Sequence, residues 1–92
     1  MTSPHIQLVN AIFSDDPYQI KSLSDQGLNL NDSGFLNIPP LLRAVIFGKQ
    51  KALQTLIDCG ADKNINDKQG RSAMDLAIKS NQPQIVEILL QN

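Results

Sequence analysis

The sequence is short of aromatic residues and has no long apolar run. It contains no tryptophan, one tyrosine and three phenylalanines, and its apolar residues are mainly leucine, isoleucine, valine and alanine. That composition favours closely packed helices over aromatic-rich strands. No apolar run approaches the about 18 residues of a membrane span, and the N-terminus has no basic segment followed by an apolar core. We therefore expect a cytoplasmic protein that contacts no membrane.

Reactive side chains are also scarce. His5 is the only histidine and Cys59 the only cysteine, so no intramolecular disulfide can form and a reducing compartment is expected. Zinc needs roughly three or four nitrogen or sulfur ligands, and a cysteine nucleophile needs a base within hydrogen-bond reach. Asp15 and Asp16 stand directly before Pro17, which indicates helix capping more than a metal site. We expect no enzyme activity, no catalytic residue, no metal and no cofactor.

The charge of the chain is nearly balanced. Eight basic and nine acidic residues give a net charge of -1 over 92 residues. A nucleic-acid-binding surface would need a clear basic excess, so we expect no nucleic-acid partner. The short basic stretch at residues 49–51 is interpreted as the solvated start of a helix. The length fits one small domain.

The chain does have an internal repeat with a period of 33 residues. A fixed period of this length indicates a stack of similar units. The residues that match across the period are Leu8, Leu41 and Met74; Ala11, Ala44 and Ala77; Ile12, Val45 and Ile78; Ile20, Leu53 and Val86; Leu23, Leu56 and Leu89; Gly27 and Gly60; and Asn31 and Asn64.

Each unit is predicted to contain two helices joined by a short turn. Apolar residues recur at helical spacing, and residues such as Ser3 and Asp16 stand where they can cap the first free N–H groups of a helix. Gly27 ends the second helix because a left-handed C-terminal cap suits glycine. Residues 28–38, which we call the central finger, have no helical period and are predicted to form an extended turn.

Two motifs resemble the ankyrin repeat family. Pro39-Pro40-Leu41-Leu42-Arg43-Ala44 resembles a degraded form of the T-P-L-H-x-A signature. Gly60-Ala61-Asp62-Lys63-Asn64 is similar to the Gly-Ala-Asp-x-Asn turn that closes an ankyrin repeat. The resemblance covers nearly the whole chain. It implies an all-α ankyrin-repeat solenoid of helix-loop-helix units with hairpin-like fingers, in which residues 1–92 form one domain of three repeats, at approximately 1–31, 32–66 and 67–92, with the terminal repeats acting as caps.

The central unit departs from the ankyrin signature at two positions. Pro39 replaces the threonine that usually caps the first helix, so one capping bond, worth about 1 kcal/mol, is expected to be missing. Leu42 replaces the histidine that usually ties the finger to that helix. The central finger is therefore expected to be looser than is usual in the family.

The resemblance also implies where a partner protein binds, because ankyrin partners lie along the fingers and the inner face of each first helix. All three phenylalanines fall on that surface, whereas a helical core is expected to hold its aromatic residues inside. Apolar anchors with a rim that contains arginine are typical of binding hot spots. The predicted partner-binding residues are Phe13, Phe35, Leu36, Ile38, Arg43, Ile46, Phe47, Lys68, Arg71 and Lys79.

Several interpretations of this surface stay open. The first is a non-catalytic protein–protein interaction module that binds a protein partner of unknown identity through the central finger and the inner helix face. The second is a small inhibitor, such as an immunity-type protein, that neutralises a partner enzyme or toxin. The third is a homodimer through the apolar patch. The purely structural alternative is that Phe35 and Leu36 cover Pro39 and Pro40, while Phe13 and Phe47 pack on each other between units.

Overall fold

The structure is a computed structural model that describes residues 3–34 and 37–92. These residues form six helices and no strand, with a single isolated antiparallel bridge between Asn66 and Ser72. The prediction of an all-α fold is confirmed. Within the described ranges, no helix has the length and apolarity needed to cross a bilayer. The helices are α1 (Pro4–Phe13), α2 (Pro17–Asp25), α3 (Pro40–Ile46), α4 (Gln50–Asp58), α5 (Ala73–Lys79) and α6 (Pro83–Gln91).

The helices form three pairs that repeat at the predicted period. Helices α2, α4 and α6 begin at residues 17, 50 and 83, which are 33 residues apart. The turn inside each pair also repeats, because Asp15, Gly48 and Asn81 have φ angles of 53°, 68° and 54°. Glycine, asparagine and aspartate are the residues that adopt this left-handed conformation most readily. The same backbone turn therefore reverses the chain in every pair.

Three of the six helices, α1, α2 and α5, begin with a side-chain cap from the residue before them. The Ser3 hydroxyl accepts a hydrogen bond from the Ile6 N–H at 3.2 Å. Ser72 and Asp75 form a capping box at α5, with both reciprocal bonds present. Helix α3 begins after Pro39 with no side-chain capping bond, as the replaced threonine predicts.

The six helices lie in two layers with the core between them. Helices α1, α3 and α5 pack in that order in one layer, and α2, α4 and α6 pack in the same order in the other. The core is one continuous cluster of aliphatic side chains, and Ile12, Leu53 and Leu56 within it have no exposed surface. The middle pair is covered by a neighbouring pair on each side.

Asp15 joins the first pair to the second. Lys49, the residue before α4, supplies no side-chain capping bond to its own helix. The Asp15 carboxylate oxygen Oδ1 instead accepts the N–H of Ala52 at 2.8 Å. A carboxylate near a helix N-terminus is also favoured by the helix dipole. The first pair therefore caps the second helix of the next pair.

Two further hydrogen bonds cross between pairs. Asn31 Oδ1 accepts the N–H of Asp62 at 2.7 Å. Gln82 Nε2 donates to the carbonyl oxygen of Val45 at 2.7 Å. Polar side chains thus fix the register of neighbouring pairs, while aliphatic burial supplies most of the packing energy.

Candidate interaction surface

Two phenylalanine rings meet at the ends of adjacent helices. Phe13 is the last residue of α1 and Phe47 follows the last residue of α3. Their ring centroids are 5.5 Å apart with an interplanar angle of 79°, an edge-to-face arrangement. Phe13 is nevertheless 62% exposed and Phe47 38% exposed. The rings therefore pack on each other between pairs, and together they still present an aromatic surface to solvent.

A cation lies over each ring. The Arg43 guanidinium carbon is 5.9 Å from the Phe47 ring centroid, and Lys49 Nζ is 5.4 Å from that of Phe13. Such contacts are worth about 0.5–1 kcal/mol at exposed sites. In the part of the chain that the structure describes, neither cation is paired with a carboxylate. We call Phe13, Arg43, Phe47 and Lys49 the aromatic cluster.

Lys49 and Ile78 are absent from the set that the sequence predicts. The sequence predicts a solvated helix start at Lys49, and only the three-dimensional fold brings this residue to a ring 36 positions earlier in the sequence. Ile78 is 63% exposed near the end of α5, although its counterparts Ile12 and Val45 are fully buried. The predicted residues Ile46 and Lys79 are exposed at the corresponding ends of α3 and α5.

A second group of predicted residues lies beside the fingers. Ile38 is half-buried and lines a groove with Lys68 and Arg71. Arg71 is engaged within its own finger, because its Nε donates to Asp67 Oδ2 at 2.7 Å. The pKa of the Asp67 carboxyl lies below its ordinary value, chiefly because it accepts the Arg71 backbone N–H, with a further contribution from the guanidinium. Phe35 and Leu36 lie outside the described residues.

The predicted patch is therefore divided into two groups along α3. The finger group, which is Ile38, Lys68 and Arg71, lies beside the start of α3, and the aromatic cluster lies at its end. Seven residues of α helix cover about 9 Å from the first residue to the last. A partner that contacts both groups must extend along the whole inner helix layer.

Comparison with known families identifies the fold. Residues 8–92 match ankyrin repeats in three copies. The chain belongs to the ankyrin repeat family. Ankyrin repeats are in general protein–protein interaction modules and typically have no catalytic activity. A search of the curated proteins found no match.

A histidine outside the ankyrin signature contacts the central finger. His5 Nε2 lies 3.3 Å from Asp32 Oδ2, so this ankyrin chain ties its finger to α1 in a way that the sequence analysis did not predict. The imidazole also packs on Gly34, where an added Cβ would stand 3.2 Å from His5 Cγ. The pKa of the Asp32 carboxyl is lowered, first by the Gly34 N–H that it accepts at 2.8 Å and then by His5.

Proposed function

We propose that this ankyrin chain is a non-catalytic binding module whose protein partner docks on the aromatic cluster and along the inner helix layer. The observation that carries the proposal is the exposed Phe13–Phe47 pair with an unpaired cation over each ring. Aromatic and arginine side chains dominate binding hot spots. A folded monomer gains little by leaving two adjacent rings in water, so an apolar side chain of a partner would stabilise this surface.

The proposed site extends from the aromatic cluster to the fingers. Ile46 and Lys79 lie at the same ends of the inner helices, and Ile38 lies at the opposite end with Lys68 and Arg71. The predicted residues Phe35 and Leu36 remain part of the proposed site. A partner that spans α3 would contact both groups.

The charges around the aromatic cluster favour an acidic partner segment. Asp15 and Asp16, which follow Phe13 in the chain, already accept backbone N–H groups of α4 and α2. Arg43 and Lys49 have no such partner among the described side chains. An apolar side chain with a neighbouring carboxylate would therefore bind the rings and pair with a cation at once.

Capture from a lysate of the native organism, followed by affinity measurement on the captured protein, tests this proposal. Phe47→Asp should lose the partner that wild type retains. Tyr18→Asp is the matched control, because Tyr18 is an aromatic residue that is 86% exposed on α2. Both variants should keep the helical circular dichroism of wild type. Equal affinity of wild type and Phe47→Asp for the captured protein would contradict the proposed site.

Arg43 gives a second test on the same complex. Arg43→Gln should weaken binding because it removes a charge contact with the partner. Salt screens such contacts, so added salt should lower the affinity of this variant less than that of wild type. The effect of binding on the partner's activity then distinguishes an inhibitor from an adaptor. Loss of an enzyme's or toxin's activity on binding would indicate an inhibitor, and unchanged activity would indicate an adaptor.

A further inference from the structure

Helix α1 begins earlier than the repeat period requires. Helices α3 and α5 begin at residues 40 and 73, so the same place in the first repeat is residue 7, yet α1 begins at Pro4. The Ser3 hydroxyl caps the extra turn, and Pro4 at its first position needs no partner for an N–H. His5 lies on this turn, before the residues 8–92 that match the ankyrin family. The turn is therefore an addition to the repeat pattern, and it carries the only histidine of the chain.

The imidazole of His5 contacts the central finger in two ways. Its Nε2 lies 3.3 Å from Asp32 Oδ2, and its ring packs on Gly34, where an added Cβ would stand 3.2 Å from His5 Cγ. The other carboxylate oxygen of Asp32 accepts the N–H of Gly34 at 2.8 Å. One carboxylate thus joins the imidazole to the finger backbone. We call the contacts of His5 with Asp32 and Gly34 the His5 contact.

The next finger along the chain is held differently. At residues 67–71, Arg71 Nε donates to Asp67 Oδ2 at 2.7 Å, and the Arg71 backbone N–H donates to Asp67 Oδ1 at 2.9 Å. One period before Arg71 stands Ile38, whose side chain has no polar group. The signature histidine is also absent from the central repeat, because Leu42 takes its place and is fully buried. The central finger lacks both of these ties, and the His5 contact stands in their place.

Asp32 is the charged partner of His5. Among the charged side chains that the structure describes, Asp32 alone forms an ion pair with His5. Helix α1 has no other charged residue, and the central finger has none besides Asp32. The charged residues of the helices packed against α1 are Lys21 and Asp25 on α2, Arg43 on α3, and Lys51 and Asp58 on α4. Lys21 and Asp25 pair with each other at 3.9 Å.

We propose that His5 is a positioning residue that holds the central finger in place for the protein partner. The His5 contact ends at Gly34, four positions before Ile38, which belongs to the finger group. A finger that is already fixed loses less conformational freedom when a partner binds, so the partner binds more tightly. The effect on binding rests on the proposed function, whereas the order of the finger is a property of the free protein.

Backbone amide NMR relaxation of the free, full-length protein at about pH 6 tests the proposal. His5→Met and His5→Gln are the matched pair, because both side chains are unbranched at Cβ and similar in length, and only glutamine keeps an N–H donor for Asp32. In His5→Met the order parameters of residues 32–34 should fall from about 0.85 to below about 0.6, while those of α3 stay unchanged. His5→Gln should restore most of the order.

Two outcomes of this measurement would overturn the proposal. Order parameters in His5→Met that equal those of wild type would mean that His5 does not hold the finger. Equal disorder in His5→Met and His5→Gln would assign the loss to the packing on Gly34 and would overturn the role of Asp32.

A pH profile separates the His5 contact from simple packing. A protonated imidazole makes a charge-assisted bond to the carboxylate, which is about twice as strong as the neutral bond. Asp32 stays ionised over the profile because its pKa lies below the ordinary value, first through the Gly34 N–H and then through His5. The order parameters of residues 32–34 in wild type should therefore fall as the pH rises from about 5.5 to about 7.5, and those of His5→Gln should stay constant. A flat profile in wild type would overturn the proposal.

Affinity for the partner captured under the proposed function tests the effect on binding. His5→Met should weaken binding about three- to tenfold, and His5→Gln by less than about twofold. Ile6→Ala on the same turn of α1 is the control and should bind like wild type, since Ile6 is 37% exposed. Wild-type affinity in a His5→Met variant with a disordered finger would overturn the role of His5 in binding, and loss of the partner by Phe47→Asp would still support the proposed function. If no partner is captured, the proposed function fails, and the relaxation data alone decide whether His5 holds the finger.

Discussion

At the residue scale, the left-handed turn residue Asp15 combines two roles. Its backbone reverses the chain inside the first repeat, and its carboxylate caps α4 of the second. The position of Asp15 and Asp16 directly before Pro17 predicts capping, which is confirmed: Asp16 caps its own helix by accepting the N–H of Tyr18 and of Gln19. The target of Asp15 lies 37 residues further on, so no local motif could reveal it.

We expect Asp15→Gly to destabilise the protein by about 1–3 kcal/mol, because it leaves the buried Ala52 N–H without an acceptor. Glycine accepts the φ angle of 53°, so backbone strain does not enter. Asp15→Asn is the matched variant, since it keeps an acceptor oxygen and should lose less than half as much. Urea unfolding measures both. A change within about 0.5 kcal/mol for Asp15→Gly would mean that this bond contributes nothing.

Asp67 makes the stability of its own finger, at residues 67–71, depend on pH. Its folded-state pKa is lowered, so its contribution is complete above the unfolded-state pKa and is lost as the pH falls through the folded-state value. We expect Asp67→Asn to be less stable than wild type at neutral pH, and the difference to shrink as the pH falls below the unfolded-state pKa. Urea unfolding at about pH 7 and about pH 3 checks this. The same difference at both pH values would contradict the assigned role.

At the element scale, the helices were more predictable from the sequence than the fingers. The aliphatic stripes of α3 and α4 recur at helical spacing and at the repeat period, so their buried residues followed directly. The finger contacts did not, because His5 and Asp32 lie 27 residues apart and share no periodic signal. The inner helix layer follows from the ankyrin resemblance, but the contact between Lys49 and Phe13 depends on how two helix ends meet.

We expect Leu56→Ala in α4 to cost about 2–5 kcal/mol, because Leu56 is fully buried and its removal leaves a cavity. Leu90→Ala in α6 is the matched control: the same substitution at a residue that is 73% exposed should stay within about 0.5 kcal/mol. Chemical unfolding of both variants gives the comparison. A loss below about 1 kcal/mol for Leu56→Ala would mean that the inward face of α4 is assigned wrongly.

At the scale of the whole molecule, the stack is stable because each repeat covers the apolar positions of the one before it. Such a protein depends on neighbour contacts rather than on the stability of a single repeat. The period in the sequence predicted this architecture. It did not show that Ile78 is largely exposed, because Ile78 matches Ile12 and Val45, which are buried in the other repeats.

Removal of residues 67–92 should unfold the rest of the chain. It uncovers the four residues of the second repeat that face the third, which are Leu41, Val45, Leu53 and Leu56. Complete exposure of four such side chains would cost about 6–12 kcal/mol, whereas a chain of 92 residues has a total stability of roughly 5–14 kcal/mol. Circular dichroism at low micromolar concentration should show little helix in the shortened chain, while full-length Ile78→Ser keeps its helices. A cooperative thermal transition in the shortened chain would mean that two repeats suffice, and that the apolar end of a stack can remain uncovered without loss of the fold.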